Sequence, residues 1–121
     1  MDMAAKFAHL HVHTEYSLLD GLPKISKLLT KVKQMGMDAC AITDHGAMYG
    51  AVEFYKAAKN EGINPIIGVE AYVTNQDHRL RGKDQKVETF HLILLAKDEE
   101  GYRNLMKLTS IAHLEGYYYR P

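Results

Sequence analysis

The sequence predicts a mixed α/β fold in which parallel strands are covered by helices. Strand-like apolar segments alternate with amphipathic helix-like segments along the 121 residues, and such alternation is typical of parallel sheets. Glycine and proline mark most of the boundaries between them. A chain of this length can bury one modest core, and 46% hydrophobic with 25% charged residues is typical of a globular protein. We therefore expect a single α/β unit over 1–121.

The first half of the chain carries two predicted strand–helix pairs. The segment "FAHLHV" (7–12) alternates in polarity, as strands do. The segment "PKISKLLTKVKQMG" (23–36) repeats apolar residues at helical intervals between a proline and a glycine. A buried strand, "DACAIT" (38–43), leads through a glycine-bounded loop to a helix, "AVEFYKAAKNEG" (51–62), which ends at a glycine.

The second half adds two strands and a helix. The third strand is "NPIIGVEAYV" (64–73), and "NQDHRLRGKDQKVE" (75–88) has no apolar period, which predicts an exposed loop. A fourth strand, "FHLILLA" (90–96), precedes Asp98, the expected N-cap of a last helix. The residues expected on the buried face of that helix are Tyr102, Leu105, Met106 and Thr109.

Composition excludes several classes of protein. Fifteen basic and fifteen acidic residues give a formal net charge of zero, so no global charge draws the chain to nucleic acid or membrane. The single cysteine, Cys40, excludes an internal disulfide framework and is expected in the core. No apolar run has the length of a membrane-spanning helix, and no signal peptide is evident. These features favour a cytoplasmic protein.

Three histidines at alternate positions raise the question of a metal site. His9, His11 and His13 would share one face of a strand, and neutral imidazole binds zinc, manganese and iron. Glu15 and Asp20 follow closely enough to add carboxylate ligands. An isolated pair of alternate histidines is more often explained by packing or surface exposure, so this motif alone leaves both explanations open.

Further polar residues lie near the other predicted strands. Asp44 and His45 follow the second strand, Glu70 lies near the end of the third, and His91 lies on the fourth. In parallel α/β folds, groups at the carboxyl ends of strands meet on one rim, where sites are built. His91 fits least well, because it lies near the beginning of its strand.

Four stretches together resemble a known family. They are "HLHVHTEYSLLDG", "AITDHGAMYGAVEFYKAAKNEGINPIIGVEAYV", "FHLILLAKDEEGYRNLMKL" and "AHLEGYYYRP". They are similar to the PHP (polymerase and histidinol phosphatase) domain at the start of bacterial replicative DNA polymerase III alpha subunits. The resemblance covers nearly the whole chain, and "EYSLLDG" and "GYRNLMKL" indicate the polymerase branch of the superfamily.

The resemblance implies part of a distorted β/α barrel that binds as many as three divalent metal ions, of zinc, manganese or iron. The matched ligands, which also form the catalytic set, are His11, His13, Asp20, His45, Glu70 and His91. His9 is typical of the polymerase branch but is not a family ligand, so we expect it to lie behind the ligands or to have a structural role. Asp44 is expected to orient neighbouring groups, because coordinated histidines usually bond such a partner through their second nitrogen. Glu15 lies in the motif without an assigned role.

The implied chemistry is phosphoester hydrolysis, linked in the polymerase branch to 3′-5′ exonuclease or proofreading activity. The family's later strands and ligands are absent, so we expect 1–121 to be the first half of a PHP domain. This half is expected to bind metal with little or no turnover. It is also expected to self-associate, because a half-barrel leaves sheet edges uncovered. Expected partners are DNA, the rest of the polymerase subunit, and proofreading or clamp subunits. The alternatives are a free-standing phosphoesterase of small monoesters and a non-catalytic interaction module braced by metal.

Overall fold

The computed structural model describes residues 6–17, 21–80, 88–117 and 121. The helices and strands in chain order are α1 (Ile25–Gln34), β1 (Ala39–Ile42), α2 (Ala51–Asn60), β2 (Asn64–Val73), β3 (Phe90–Leu95) and α3 (Glu99–Glu115). The predicted mixed α/β fold is confirmed. Every helix and strand predicted after residue 22 is present, within a few residues of its expected bounds.

β1 and β2 are parallel, and α2 connects them, as the alternation predicts. Their register pairs Ala39 with Asn64 and Ile42 with Ile67. After α2 the chain passes Gly62, whose φ of 71° lies in the left-handed region that glycine adopts at low cost. This turn lets β2 start immediately beside β1.

The orientation of β3 differs from the expectation that all strands are parallel. β3 pairs with β2 in the antiparallel direction, with Tyr72 opposite His91 and Val73 opposite Phe90. A parallel neighbour requires a long crossover, usually a helix, whereas an antiparallel neighbour requires only a turn or loop. The sequence between β2 and β3 has no helical period, so the chain returns along β2. The prediction of a parallel fourth strand was therefore wrong.

The predicted first strand, 7–12, is only partly formed. His9 makes an isolated parallel bridge to Cys40, and the Thr43 N–H donates to the Val12 carbonyl at 2.8 Å. The Val12 N–H donates to the Thr43 side-chain oxygen, Oγ1, also at 2.8 Å. Because that side chain replaces a backbone partner, the segment follows the edge of β1 without forming a regular ladder.

The core lies between α1, α2 and β1. Phe54 of α2 and Cys40 and Ala41 of β1 are fully buried, with Ile25 and Leu29 of α1 at 1% exposure. Burial raises the pKa of the Cys40 thiol to about 11, because a low-dielectric environment disfavours the thiolate. The prediction that Cys40 belongs to the core is confirmed.

α3 begins at its predicted cap but is less buried than expected. The Asp98 side chain accepts a hydrogen bond from the Gly101 N–H at 2.9 Å. Leu105 is buried at 7% exposure, but Met106 is 39% exposed, so its predicted burial was wrong. Met106 lies about 100° around the helix from Leu105, beyond the narrow stripe that contacts the sheet.

The loop after β2 is exposed over its described part, 75–80, and residues 81–87 of the predicted loop lie outside the described residues. Within the ranges that the structure covers, none of the helices combines the length and apolarity needed to cross a membrane.

Candidate metal centre

His11 and His13 lie on the segment that runs along the edge of β1. Val12, which lies between the two histidines, is held by its hydrogen bonds with Thr43. Both histidine side chains therefore project to the same side. Their Nε2 atoms are 3.2 Å apart. Both Nε2 atoms contact Glu70 Oε2, that of His11 at 2.9 Å and that of His13 through a short hydrogen bond.

His45 is placed beside Glu70 by backbone pairing that continues past the end of β1. The Glu70 N–H donates to the Asp44 carbonyl at 3.0 Å, and the Gly46 N–H donates to the Glu70 carbonyl at 2.9 Å. His45 Nδ1 is then 3.6 Å from Glu70 Oε2. The His45 ring also packs on the His13 ring with centroids 4.0 Å apart.

His91 reaches the same carboxylate from the beginning of β3. Because β3 is antiparallel to β2, its first residues lie beside the last residues of β2, and His91 is opposite Tyr72. His91 Nδ1 lies 2.8 Å from Glu70 Oε1. The antiparallel orientation therefore explains how a residue at the start of a strand joins groups at the ends of two others.

Glu70 is the centre of this arrangement. Its side chain is only 5% exposed, whereas those of His11 and His91 are 56% and 48% exposed. Burial opposes ionisation of Glu70, but hydrogen bonds from His11, His13 and His91 outweigh it and lower the pKa to about 2. The carboxylate is thus ionised at neutral pH, and an ion would reach it past His11 and His91.

The donor atoms fit a divalent metal ion in type and spacing. Two groups have all their ligand atoms within 4.8 Å of one another: His11, His13 and Glu70, and His45, Glu70 and His91. Two ligands bound to one zinc ion at about 2.1 Å with tetrahedral angles lie about 3.4 Å apart. The 3.2 Å between the His11 and His13 nitrogens is close to that spacing. Imidazole nitrogen with carboxylate oxygen suits zinc, manganese or iron.

The structure thus brings five of the six predicted ligands to one place; the sixth, Asp20, lies outside the described residues. Of the two residues expected behind the ligands, His9 is exposed and its ring packs edge-on against Phe7 with centroids 4.9 Å apart. Asp44 is 1% exposed. The Glu15 side chain is also exposed, and its main-chain N–H donates to the Pro23 carbonyl.

Sequence reasoning missed three residues near this centre. One contacts two of the histidines, and the other two bind the Asp44 carboxylate. Tyr72 stacks on His45 with centroids 6.1 Å apart and meets His91 edge-on at 5.1 Å. The buried hydroxyls of Thr14 and Ser17 donate to the Asp44 carboxylate. Tyr72 lies two residues after Glu70, on the same face of β2, which was an available signal. The hydroxyl contacts join residues about 30 positions apart and carry no sequence signal.

Comparison with known families gives a match over most of the chain. The model of the PHP domain matches residues 9–121. A DNA polymerase III subunit alpha from Borreliella burgdorferi is 54% identical over 122 residues, which cover 100% of this chain and 11% of that protein. The subunit alpha of Helicobacter pylori is 57% identical over 115 residues, covering 95% of this chain and 9% of that protein. The chain thus spans about a tenth of the length of these relatives.

A solved structure supports the fold. A protein from Bifidobacterium adolescentis, proposed to be a metal-dependent phosphoesterase, superposes with a TM-score of 0.58 at 19% identity. The match covers 86% of this chain and 33% of the other. At this identity the likeness concerns the fold alone.

Proposed function

Since the chain belongs to the PHP domain family, we propose that it is the N-terminal part of the PHP domain of a bacterial replicative DNA polymerase, and that it holds divalent metal ions for phosphodiester hydrolysis. The proposed reaction is removal of nucleotides from a 3′ end. The relatives support the polymerase context, because they are DNA polymerase III alpha subunits matched over almost the whole chain.

The observation that carries the proposal is the convergence of four histidines on the buried Glu70 carboxylate. We propose His11, His13, Asp20, His45, Glu70 and His91 as the residues that hold metal. A divalent ion in such a site lowers the pKa of a bound water and neutralises phosphate charge. His11 and His91 are the exposed members, so substrate would approach from their side.

The polymerase context implies partners for this chain. The substrate would be DNA, and the physical partners would be the remainder of the polymerase subunit and its proofreading or clamp subunits. The relatives are about ten times as long as this chain, which supports an origin within a larger assembly. Bacterial replication takes place in the cytoplasm, so the proposed location of this protein is the cytoplasm.

Metal binding by the chain itself is the first test. Protein prepared without a histidine tag is expected to bind Zn²⁺ or Mn²⁺ in calorimetric titration, and chelation is expected to lower the melting temperature, since an ion that binds only the folded state stabilises it. His11→Ala is expected to weaken binding. The matched control is His78→Ala, because His78 pairs with Glu115 at 3.0 Å on another part of the surface. Equal affinities for the two variants would contradict the assignment.

The reaction is tested in the full-length polymerase subunit that contains this segment. We expect metal-dependent shortening of a primer with a mismatched 3′ end, and loss of that activity in the variant His13→Ala. Hydrolysis of p-nitrophenyl phosphate without cleavage of the primer would instead support a phosphoesterase of small monoesters. Stabilisation by metal with neither activity would support a non-catalytic module.

We also propose that the isolated chain self-associates through β3. Among the described residues β3 pairs with β2 on one side only, and Phe90 and Leu92 are 54% and 49% exposed. An uncovered strand edge with exposed apolar side chains promotes pairing with a second copy.

Sedimentation tests this surface. The chain is expected to sediment above the monomer mass, and Leu92→Lys is expected to shift it towards the monomer, since lysine on an edge strand opposes pairing. Leu114→Lys, at a position on α3 that is 81% exposed, is the matched control and should leave the mass unchanged. A monomeric wild-type chain would refute self-association.

A further inference from the structure

A buried carboxylate lies behind the histidines. Asp44 is 1% exposed and lies two residues after the end of β1. Its Oδ1 accepts hydrogen bonds from the Thr14 N–H at 2.6 Å and the Ser17 hydroxyl at 2.9 Å. Its Oδ2 accepts from the Thr14 hydroxyl at 2.8 Å. Thr14 and Ser17 are themselves 0% and 2% exposed, so this is an interior network that joins the turn after His13 to the end of β1.

The Ser17 hydroxyl has a second contact, which leads to the metal centre. The His45 N–H donates to Ser17 Oγ at 3.0 Å. A serine hydroxyl can donate only one hydrogen bond, and that of Ser17 goes to Asp44. The Ser17 oxygen is therefore left to accept from the His45 N–H. Asp44 therefore orients the Ser17 hydroxyl as a hydrogen-bond acceptor for His45.

This contact fixes the main chain of His45 from the side opposite β2. The two neighbours of His45 are already held by β2, because the Asp44 carbonyl and the Gly46 N–H both bond to Glu70. The Ser17 bond adds a third constraint at His45 itself. With its backbone held, the Cα–Cβ bond of His45 keeps a fixed direction, and packing of the ring between His13 and Tyr72 limits its rotation away from the Glu70 carboxylate. Small losses of ligand alignment cost much affinity and rate.

We propose that Ser17 is a positioning residue for the metal centre: its hydroxyl, directed by Asp44, holds the main chain of His45 and so aims the imidazole at Glu70. The inference rests on the proposed function, because it concerns the same metal site. It assigns Ser17 a role distinct from that of Thr14, whose hydroxyl also binds Asp44 but accepts from the Tyr16 N–H at 3.3 Å.

The test compares Ser17→Ala with Thr14→Val. Each variant removes one hydroxyl bond to Asp44, so both should lower the melting temperature of the metal-free chain similarly. Only Ser17→Ala should also weaken metal binding, by about 10- to 100-fold, the range typical of groups that orient ligands. It should also alter the visible absorption of bound Co²⁺, which reports ligand geometry. Equal affinities and Co²⁺ spectra for the two variants would overturn the proposal.

Amide hydrogen exchange in the metal-free wild-type chain gives an independent test, which remains valid if Ser17→Ala fails to fold. The His45 amide is expected to exchange as slowly as amides of β1, and exchange at the rate of an exposed loop amide would overturn the inference. A wild-type chain that binds no metal would refute the proposed function, while slow exchange of the His45 amide would still support the Ser17 contact.

Discussion

Glu70→Gln is expected to weaken Zn²⁺ or Mn²⁺ binding by more than about 100-fold, because even groups that only orient a ligand are worth about 10- to 100-fold. Glu70 belongs to both groups of candidate ligands, so its loss affects both together. Glutamine keeps the shape of the side chain but removes the negative charge. Calorimetric titration at neutral pH measures the difference.

The control for this variant is Glu61→Gln. Glu61 is a carboxylate at the end of α2 that pairs with Lys33 at 3.3 Å, so the same substitution there should leave metal affinity unchanged. If Glu70→Gln bound metal as tightly as the wild-type chain, the four histidines would have to hold the ion alone and Glu70 would not be its centre.

Phe54→Ala is expected to lower the free energy of unfolding by about 3–5 kcal/mol, the usual cost of truncating a buried phenylalanine. Phe54 has 0% exposure and packs among the buried residues of α1, β1 and α2. Natural domains are stable by only about 5–15 kcal/mol, so the variant is expected to lose much of its stability. Urea denaturation followed by circular dichroism measures the loss.

Tyr55→Ala is the matched control for that prediction. The neighbouring tyrosine is 49% exposed, and exposed positions usually change stability by only about 0.5 kcal/mol. Similar losses for the two variants would mean that the core does not lie between α1, α2 and β1.

The local pattern of the sequence was enough to predict most of the elements. Helical spacing of apolar residues and bounding glycines predicted α1 and α2, and the parallel pairing of β1 with β2 follows from the helix between them. Asp98 was predicted as a cap because a side-chain oxygen before a helix satisfies a free N–H, and it does so. These features depend on neighbours in sequence, which a single chain reveals.

The direction of β3 was not predictable in the same way, and it affected the interpretation of the site. Strand alternation is the same in both directions, so the residues of β3 do not indicate whether it runs with or against β2. The sequence evidence lay in the connection, because 75–88 has no helical period and so argues against a crossover helix between β2 and β3. A parallel β3 would place His91 at the wrong end of the sheet, whereas the antiparallel β3 places it 2.8 Å from Glu70.

The buried network around Asp44 shows a second limit. Its partners, Thr14 and Ser17, are 27 to 30 positions away in sequence, and hydroxyl groups follow no period that would reveal burial. Such contacts depend on how the turn after His13 is laid against β1. They become visible only when tertiary structure brings the two segments together.

The pairing of Val73 with Phe90 has a consequence for how relatives of this chain can diverge. Because these two residues are paired, the connection from β2 to β3 leaves and rejoins the sheet at the same end, which is the end where His91 lies. Insertions or deletions in that connection would leave the strand register intact while changing the chain that adjoins the proposed metal centre. Natural variation in length is therefore expected to concentrate there.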